Sequence, residues 1–201
     1  TGLALENSRL ARAIAEEATQ RERLHREIEI AREVQERLFP KRAPVMAGLE
    51  LAGRCLPAQT IGGDYFDFLE TPSGQVGLAI ADVAGKGIPA ALLMAGMQAS
   101  LRSLTLAGVE DLADLMAKLN RLVYDASPAN RFITFFYGLY DPASGRLRYA
   151  SAGHNPALLL RANGIVEWLS AKGVGLGLAR KARYEAGETV LAPGDRLVLY
   201  T

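Results

Sequence analysis

The first 38 residues constrain this chain more than any other stretch. Gly2 is the only glycine before Pro40, and no proline precedes Pro40 either. So long a run without a backbone breaker predicts one continuous helix, with acidic and basic residues densely mixed as in EEATQRERLHREIEIAREVQERL. Leu3, Leu10, Leu24, Ala31 and Leu38 recur at one heptad position and Ile14 and Ile28 at the other, with Glu17, Arg21 and Gln35 interrupting the seam. Such a stripe can pack on its own domain or pair with a second copy. The heavy charge on the remaining faces favours a parallel two-stranded linker. Residues 1–40 therefore read as a coiled-coil linker helix, and residues 41–201 as a globular domain.

Beyond Ala47 the texture changes. GLELAGRCLP, GQVGLAIAD, FITFFYGLYD, GRLRYASAG, PALLLRA and DRLVLYT read as strands, and Asp141 to Gly145 (DPASG) as a hairpin turn. Ile88 to Leu106, with Pro89 in its first turn, and Val109 to about Ala126 read as helices. A linker helix, two strands, two helices and a run of antiparallel strands predict an α+β domain, with sheet packed on sheet and helices outside.

Composition narrows the function. A formal net charge of +1 carries no electrostatic footprint for nucleic acid. The lone Cys55 precludes an internal disulfide framework and fits a reducing compartment. No signal peptide or membrane-length apolar run is present, so a cytoplasmic protein is expected, with membrane anchoring upstream left open.

The candidate chemistry lies in IGGDYFDFLE and IADVAGKGIPAALL. Asp64 and Asp67 follow a Gly-Gly pair, and Asp82 ends an apolar run with glycines behind it. A carboxylate at the tip of a hydrophobic strand is poorly placed for folding alone. The 18 residues between Asp64 and Asp82 suit a hairpin returning to the same edge. Mg²⁺ or Mn²⁺ would accept such carboxylates, and Gly85 and Gly87 would let the backbone bend so that the Val83 carbonyl also faces an ion. Spacing alone equally allows turn or helix-capping roles for both aspartates.

Other candidates are weaker. AGKGIP lacks the first glycine and the Ser/Thr of a phosphate loop, and GVGLGL at Gly173 to Leu178 is not followed by the helix of a dinucleotide fingerprint. Cys55 has no activating base nearby in sequence, and His25 lies on the linker helix. His154 reads as a turn histidine bonded to backbone before an acid or base.

LPAQTIGGDYFDF, IADVAGKGIPAALLMAGMQASLRSL, FITFFYGLYD, LRYASAGHNPALLL and the Gly173 to Leu178 segment together resemble the bacterial serine phosphatases of the metal-dependent PP2C-like class, of the RsbU and SpoIIE type. The resemblance runs from about Glu36 to Thr201. It implies a PP2C-like antiparallel β-sandwich flanked by helices in αββα layers, preceded by the long linker helix. It implies a binuclear Mn²⁺ or Mg²⁺ centre held by Asp64, Asp82 and the Val83 carbonyl, with Asp67, Gly85 and His154 as weaker candidates. It also implies a phosphorylated STAS-type anti-sigma factor antagonist as substrate, an upstream GAF or PAS sensor, and a homodimer joined through the N-terminal helix.

Two departures qualify the match. Gly153-His154 stands where animal and plant relatives carry Gly-Asp. The family also places an Asp-Gly pair immediately after a strand like DRLVLYT, and a further aspartate later, both aspartates being ligands. The 201 residues alone are therefore expected to bind metal weakly, which keeps a non-catalytic dimeric binding module as the alternative function. A seam with polar interruptions is also expected to act as a two-state element, passing sensor input to the helix Ile88–Leu106.

Overall fold

The computed structural model describes residues 2–56, 60–108, 110–128 and 130–201, with side chains described throughout except at residues 3–5, 7, 8 and 11. The long helix is present as α1 (Gly2–Glu36). Its stripe divides in two. Leu10, Ile14 and Leu24 are exposed, whereas Ile28 and Ala31 are half-buried, Gln35 is buried and Leu38 packs on the core. Both arrangements weighed for this stripe thus bear on one helix: its C-terminal end docks on its own domain, and its N-terminal part leaves an apolar stripe open. Leu3, at the head of the stripe, lies outside the described side chains.

Among the described residues eight strands follow, all paired antiparallel: β1 (Tyr65–Glu70), β2 (Val76–Val83), β3 (Ile133–Asp141), β4 (Arg146–Ala152), β5 (Ala157–Leu160), β6 (Val166–Leu169), β7 (Ala186–Val190) and β8 (Arg196–Val198). They form a five-stranded sheet in the order β1-β2-β3-β4-β7 and a three-stranded sheet in the order β6-β5-β8. α2 (Ile88–Leu106) and α3 (Leu112–Ala126) cover one face of the larger sheet.

Two apolar layers result. Between helices and sheet lie Tyr65, Ala79, Ala81, Val83, Met94, Met97, Leu101, Met116, Leu119, Phe135 and Tyr137. Between the sheets lie Val76, Leu78, Ile80, Phe136, Leu147, Tyr149 and Leu159. Phe136 and Tyr149 stack there with centroids 5.9 Å apart, worth about 1 kcal/mol beyond the area they bury. Alternation along β2 supplies both layers: Val76, Leu78 and Ile80 face the small sheet, and Ala79, Ala81 and Val83 face the helices.

Two stretches differ from expectation, and β1, β6 and β7 are strands that the sequence reading does not list. GLELAGRCLP makes no ladder among the described residues; only an isolated bridge, Met46 to Leu49, forms there. Its alternation had the look of a strand, but no neighbour supplies the pairing. α3 begins at Leu112 because Asp111 caps it, accepting from Ala113 N at 2.8 Å, while Val109 lies outside the described residues. GVGLGL crosses the sheet end as an irregular segment: Leu176 exchanges backbone bonds with Ile133, and a Cβ at Gly173 would strike the Ser151 carbonyl. The DPASG turn forms as expected, with the Asp141 carboxylate accepting from Ala143 N at 3.0 Å and Ser144 Oγ at 2.6 Å.

Candidate metal centre

The β1–β2 hairpin closes through Thr71, whose N donates to Gln75 O at 2.9 Å and whose Oγ1 accepts from Gln75 N at 3.0 Å. This turn fixes the register Tyr65↔Ala81. One step further, the same register sets Asp64 opposite Asp82, and Asp82 is paired in turn with Thr134 of β3. Asp82 continues the row Val76, Leu78, Ile80, so Asp64, Asp82 and Thr134 line one mouth of the space between the two sheets.

The two carboxylates lie within hydrogen-bond reach of each other. Burial pushes both above the usual carboxylate range; for Asp64 the charge of Asp82 adds to this, while His154 and a hydrogen bond from the Thr201 side chain oppose it. Opposed like charges at a cross-strand position repel, so the pair calls for a proton or a cation between them. The same environment raises the Cys55 thiol, through burial and the charge of Asp64, which makes it a poor nucleophile.

Close backbone approach explains the glycine pair. A Cβ at Gly63 would lie 2.8 Å from Val83 Cβ and 3.0 Å from the Val83 carbonyl oxygen, so the loop before Asp64 sits against the carbonyl end of β2. Gly85 has φ +109°, closed to L side chains, and a Cβ there would meet Arg131 Nη1 at 2.6 Å.

Asp67 does not join the pair. Three residues beyond Asp64 on a strand, it faces the helix layer, where it is 1% exposed. There it accepts from Tyr65 Oη at 2.7 Å, from Phe68 N at 2.9 Å and from Arg102 Nε at 2.9 Å, with Arg102 Nη2 at 2.7 Å. This is a satisfied buried ion pair that ties α2 to β1. His154 lies near the pair, but both ring nitrogens are engaged: Nδ1 is 2.9 Å from Thr134 Oγ1 and Nε2 is 3.1 Å from Tyr200 O. His25 is exposed on α1.

Among the described residues no group of three or more His, Cys, Asp or Glu forms a metal cage. Asp64 and Asp82 supply hard oxygen donors that fit part of a Mg²⁺ or Mn²⁺ shell, which such ions complete with water.

Sequence reasoning missed Thr134 and the true role of Gln35. The Gln35 side chain bonds Gly62, with Nε2 donating to its O at 2.7 Å and Oε1 accepting from its N at 3.1 Å. The period of the helix gave Gln35 the look of a seam defect, and only tertiary contact reveals the dock.

Residues 72–201 match the family model described as "Stage II sporulation protein E (SpoIIE)". The chain is 34% identical over 201 residues to phosphoserine phosphatase RsbU of Bacillus subtilis, covering 100% of this chain and 58% of that protein. It spans about half the length of the curated relatives it matches. Among solved structures, the RsbU and RsbW domains of Rv1364c from Mycobacterium tuberculosis align with TM-score 0.60 and 28% identity, over 70% of this chain and 38% of that one. The SiaA-PP2C domain of Pseudomonas aeruginosa aligns with TM-score 0.70 and 20% identity, over 89% and 71%. The fold is thus that of PP2C domains.

Proposed function

Because the chain belongs to the SpoIIE family, we propose that it is the catalytic part of a metal-dependent protein serine/threonine phosphatase in bacterial signalling. The observation that carries this is the pairing of Asp64 with Asp82 at the mouth between the sheets, where burial raises both carboxylates and the charge of Asp82 adds to this for Asp64. Asp64 and Asp82 would hold Mn²⁺ or Mg²⁺, with the Val83 carbonyl as the backbone donor. Two such cations, when bound, supply an activated water for in-line attack on phosphorus and neutralise phosphate charge. The chain's own part is to hold the two carboxylates apposed, and to hold the Gly62-Gly63 loop against Val83. No side-chain nucleophile is required, in keeping with the raised Cys55 thiol.

The substrate we favour is a phosphoserine on a regulatory protein of the STAS-type anti-sigma factor antagonist class. The relative named phosphoserine phosphatase and the structure joining RsbU and RsbW domains support it. The exposed Leu10, Ile14 and Leu24 suit a homodimer through α1 beneath a GAF or PAS sensor. None of the described helices is long and apolar enough to cross a membrane; a cytoplasmic site of action agrees with the lone cysteine.

The test is phosphate release from p-nitrophenyl phosphate and from a phosphoserine protein by the full-length protein in Mn²⁺. Asp82→Asn should reduce both to background. Hydrolysis without metal, or an unaffected variant, refutes the reading.

A further inference from the structure

We propose that His154 is a positioning residue that straps the end of the small sheet to the metal-bearing edge of the large one. The inference rests on Asp64 and Asp82 being the metal carboxylates. β8 is short, Arg196–Val198, and among the described residues pairs with β5 alone. Tyr200 lies beyond that ladder, and the bond described for its carbonyl comes from the His154 ring, at 3.1 Å. A carbonyl only accepts, so Nε2 carries the proton. In the neutral ring Nδ1 then accepts, and the Thr134 hydroxyl donates to it at 2.9 Å. The Thr134 oxygen lies 3.4 Å from the Asp82 backbone oxygen, a poorer use of its single proton.

The bonds Thr134–His154–Tyr200 therefore run from β3, where the ladder sets Thr134 opposite Asp82, to the end of β8. Their far end matters because the side chain of Thr201, the next residue, lies beside Asp64 and favours its ionised form. The ring is itself held. Gly153 has φ +65° and packs so closely on Gly175 that a Cβ would lie 3.2 Å from its N, while His154 N donates to Ser151 Oγ at 3.3 Å. Burial depresses the imidazole's basicity, which agrees with a neutral strap.

The two arms can be separated in the full-length protein. His154→Asn keeps an acceptor for Thr134 and loses the donor to Tyr200; His154→Gln places an N–H donor near the Nε2 position. In metal-free protein, amide exchange over residues 196–201 should accelerate about tenfold in His154→Asn and stay within about threefold in His154→Gln. Calorimetric Mn²⁺ affinity should fall in the same order, by about tenfold for Asn. Unchanged exchange and affinity in both variants, beside an Asp82→Asn variant that has lost Mn²⁺ binding, overturn the strap and leave the metal reading standing. So does equal damage in both, with exchange raised throughout the protein, since His154 would then be a packing residue. Wild-type Mn²⁺ affinity in Asp82→Asn overturns the metal reading and the strap with it.

Discussion

Gln35 of α1 and Gly62, two residues ahead of Asp64, are joined by both hydrogen bonds that a side-chain amide can exchange with one residue's backbone, at 2.7 and 3.1 Å. Gln98 of α2 adds a bond to the Leu38 carbonyl at 3.3 Å. The end of the long helix is thus tied both to the loop that carries a candidate ligand and to the helix that follows Asp82.

Gln35→Leu keeps bulk and helix propensity while leaving both backbone groups of Gly62 unpaired. Stability should fall by about 1 kcal/mol, the low end for stranded polar groups, because Gly62 is only half-buried. The Mn²⁺ concentration needed for half-maximal activity should also rise. Thermal melts and Mn²⁺ titrations measure the two effects, and a change in the melt alone would confine Gln35 to a structural role.

The same tie shapes the test of the helix as a switch. An idealised Ile/Leu seam should be confined to residues 10–28, sparing Gln35 and Leu38, and built in each heptad phase. The phase that keeps Gln35 facing Gly62 should retain wild-type activity and signal response, and the others should alter both. Equal activity in every phase would make α1 a passive tether.

Asp67 separates structure from chemistry. Asp67→Ala leaves Arg102 and the Tyr65 hydroxyl without their shared acceptor, at a cost of about 3 kcal/mol. That figure is the lower end for a buried pair, because the Arg102 side chain is 44% exposed. The folded fraction should keep its kcat and its Mn²⁺ dependence, in contrast to Asp82→Asn. Loss of Mn²⁺ dependence in stable protein would return Asp67 to the ligand set.

Asp64→Asn should abolish activity and yet stabilise the metal-free protein. The folded state holds the Asp64 proton more tightly than the unfolded chain does, chiefly through burial and then through Asp82. The sign follows: the Asp64 contribution to apo stability is fully present below the unfolded carboxyl pKa and is lost as pH rises through the raised folded one. Partial solvent exposure limits the gain to about 1 kcal/mol, a rise in Tm of roughly 2–4 °C at this chain length. Melts from pH 4 to 7 should show the wild type falling relative to the variant; saturating Mn²⁺ should reverse the ranking.

How far the sequence carried the site depends on which residues are considered. Asp82 is legible because a charge closing an apolar strand beside glycines conflicts with folding, whereas Asp64 precedes β1, and the strand expected before it, GLELAGRCLP, makes no ladder among the described residues. The hairpin register then set them face to face. Asp67 belonged to the same motif, and period two already separated it from Asp64, yet its partner Arg102 lies 35 residues away and no local pattern announces it. Thr134 becomes visible only through the β2–β3 register, and Gln35 only through a loop 27 residues distant. The strand reading omits β1, β6 and β7: Asp67 interrupts the apolar run of the first, and the other two are short, with exposed positions that dilute the apolar signal.

The unequal side-chain sizes along β2 act as a ruler for the chemistry. Val76, Leu78 and Ile80 fill the space between the sheets, whereas Gly77, Ala79 and Ala81 leave room for Tyr137 and α2 on the other side. Both faces are apolar, so polarity alone would not detect a strand paired one residue out of step. Volume would. A slip would press Ile80 into the helix layer, open a void between the sheets, and bury Asp82 while turning Val83 toward the mouth. A misregistered molecule is therefore unstable and lacks the Asp64–Asp82 pairing, so side chains remote from the mouth exclude copies in which the candidate site is not assembled.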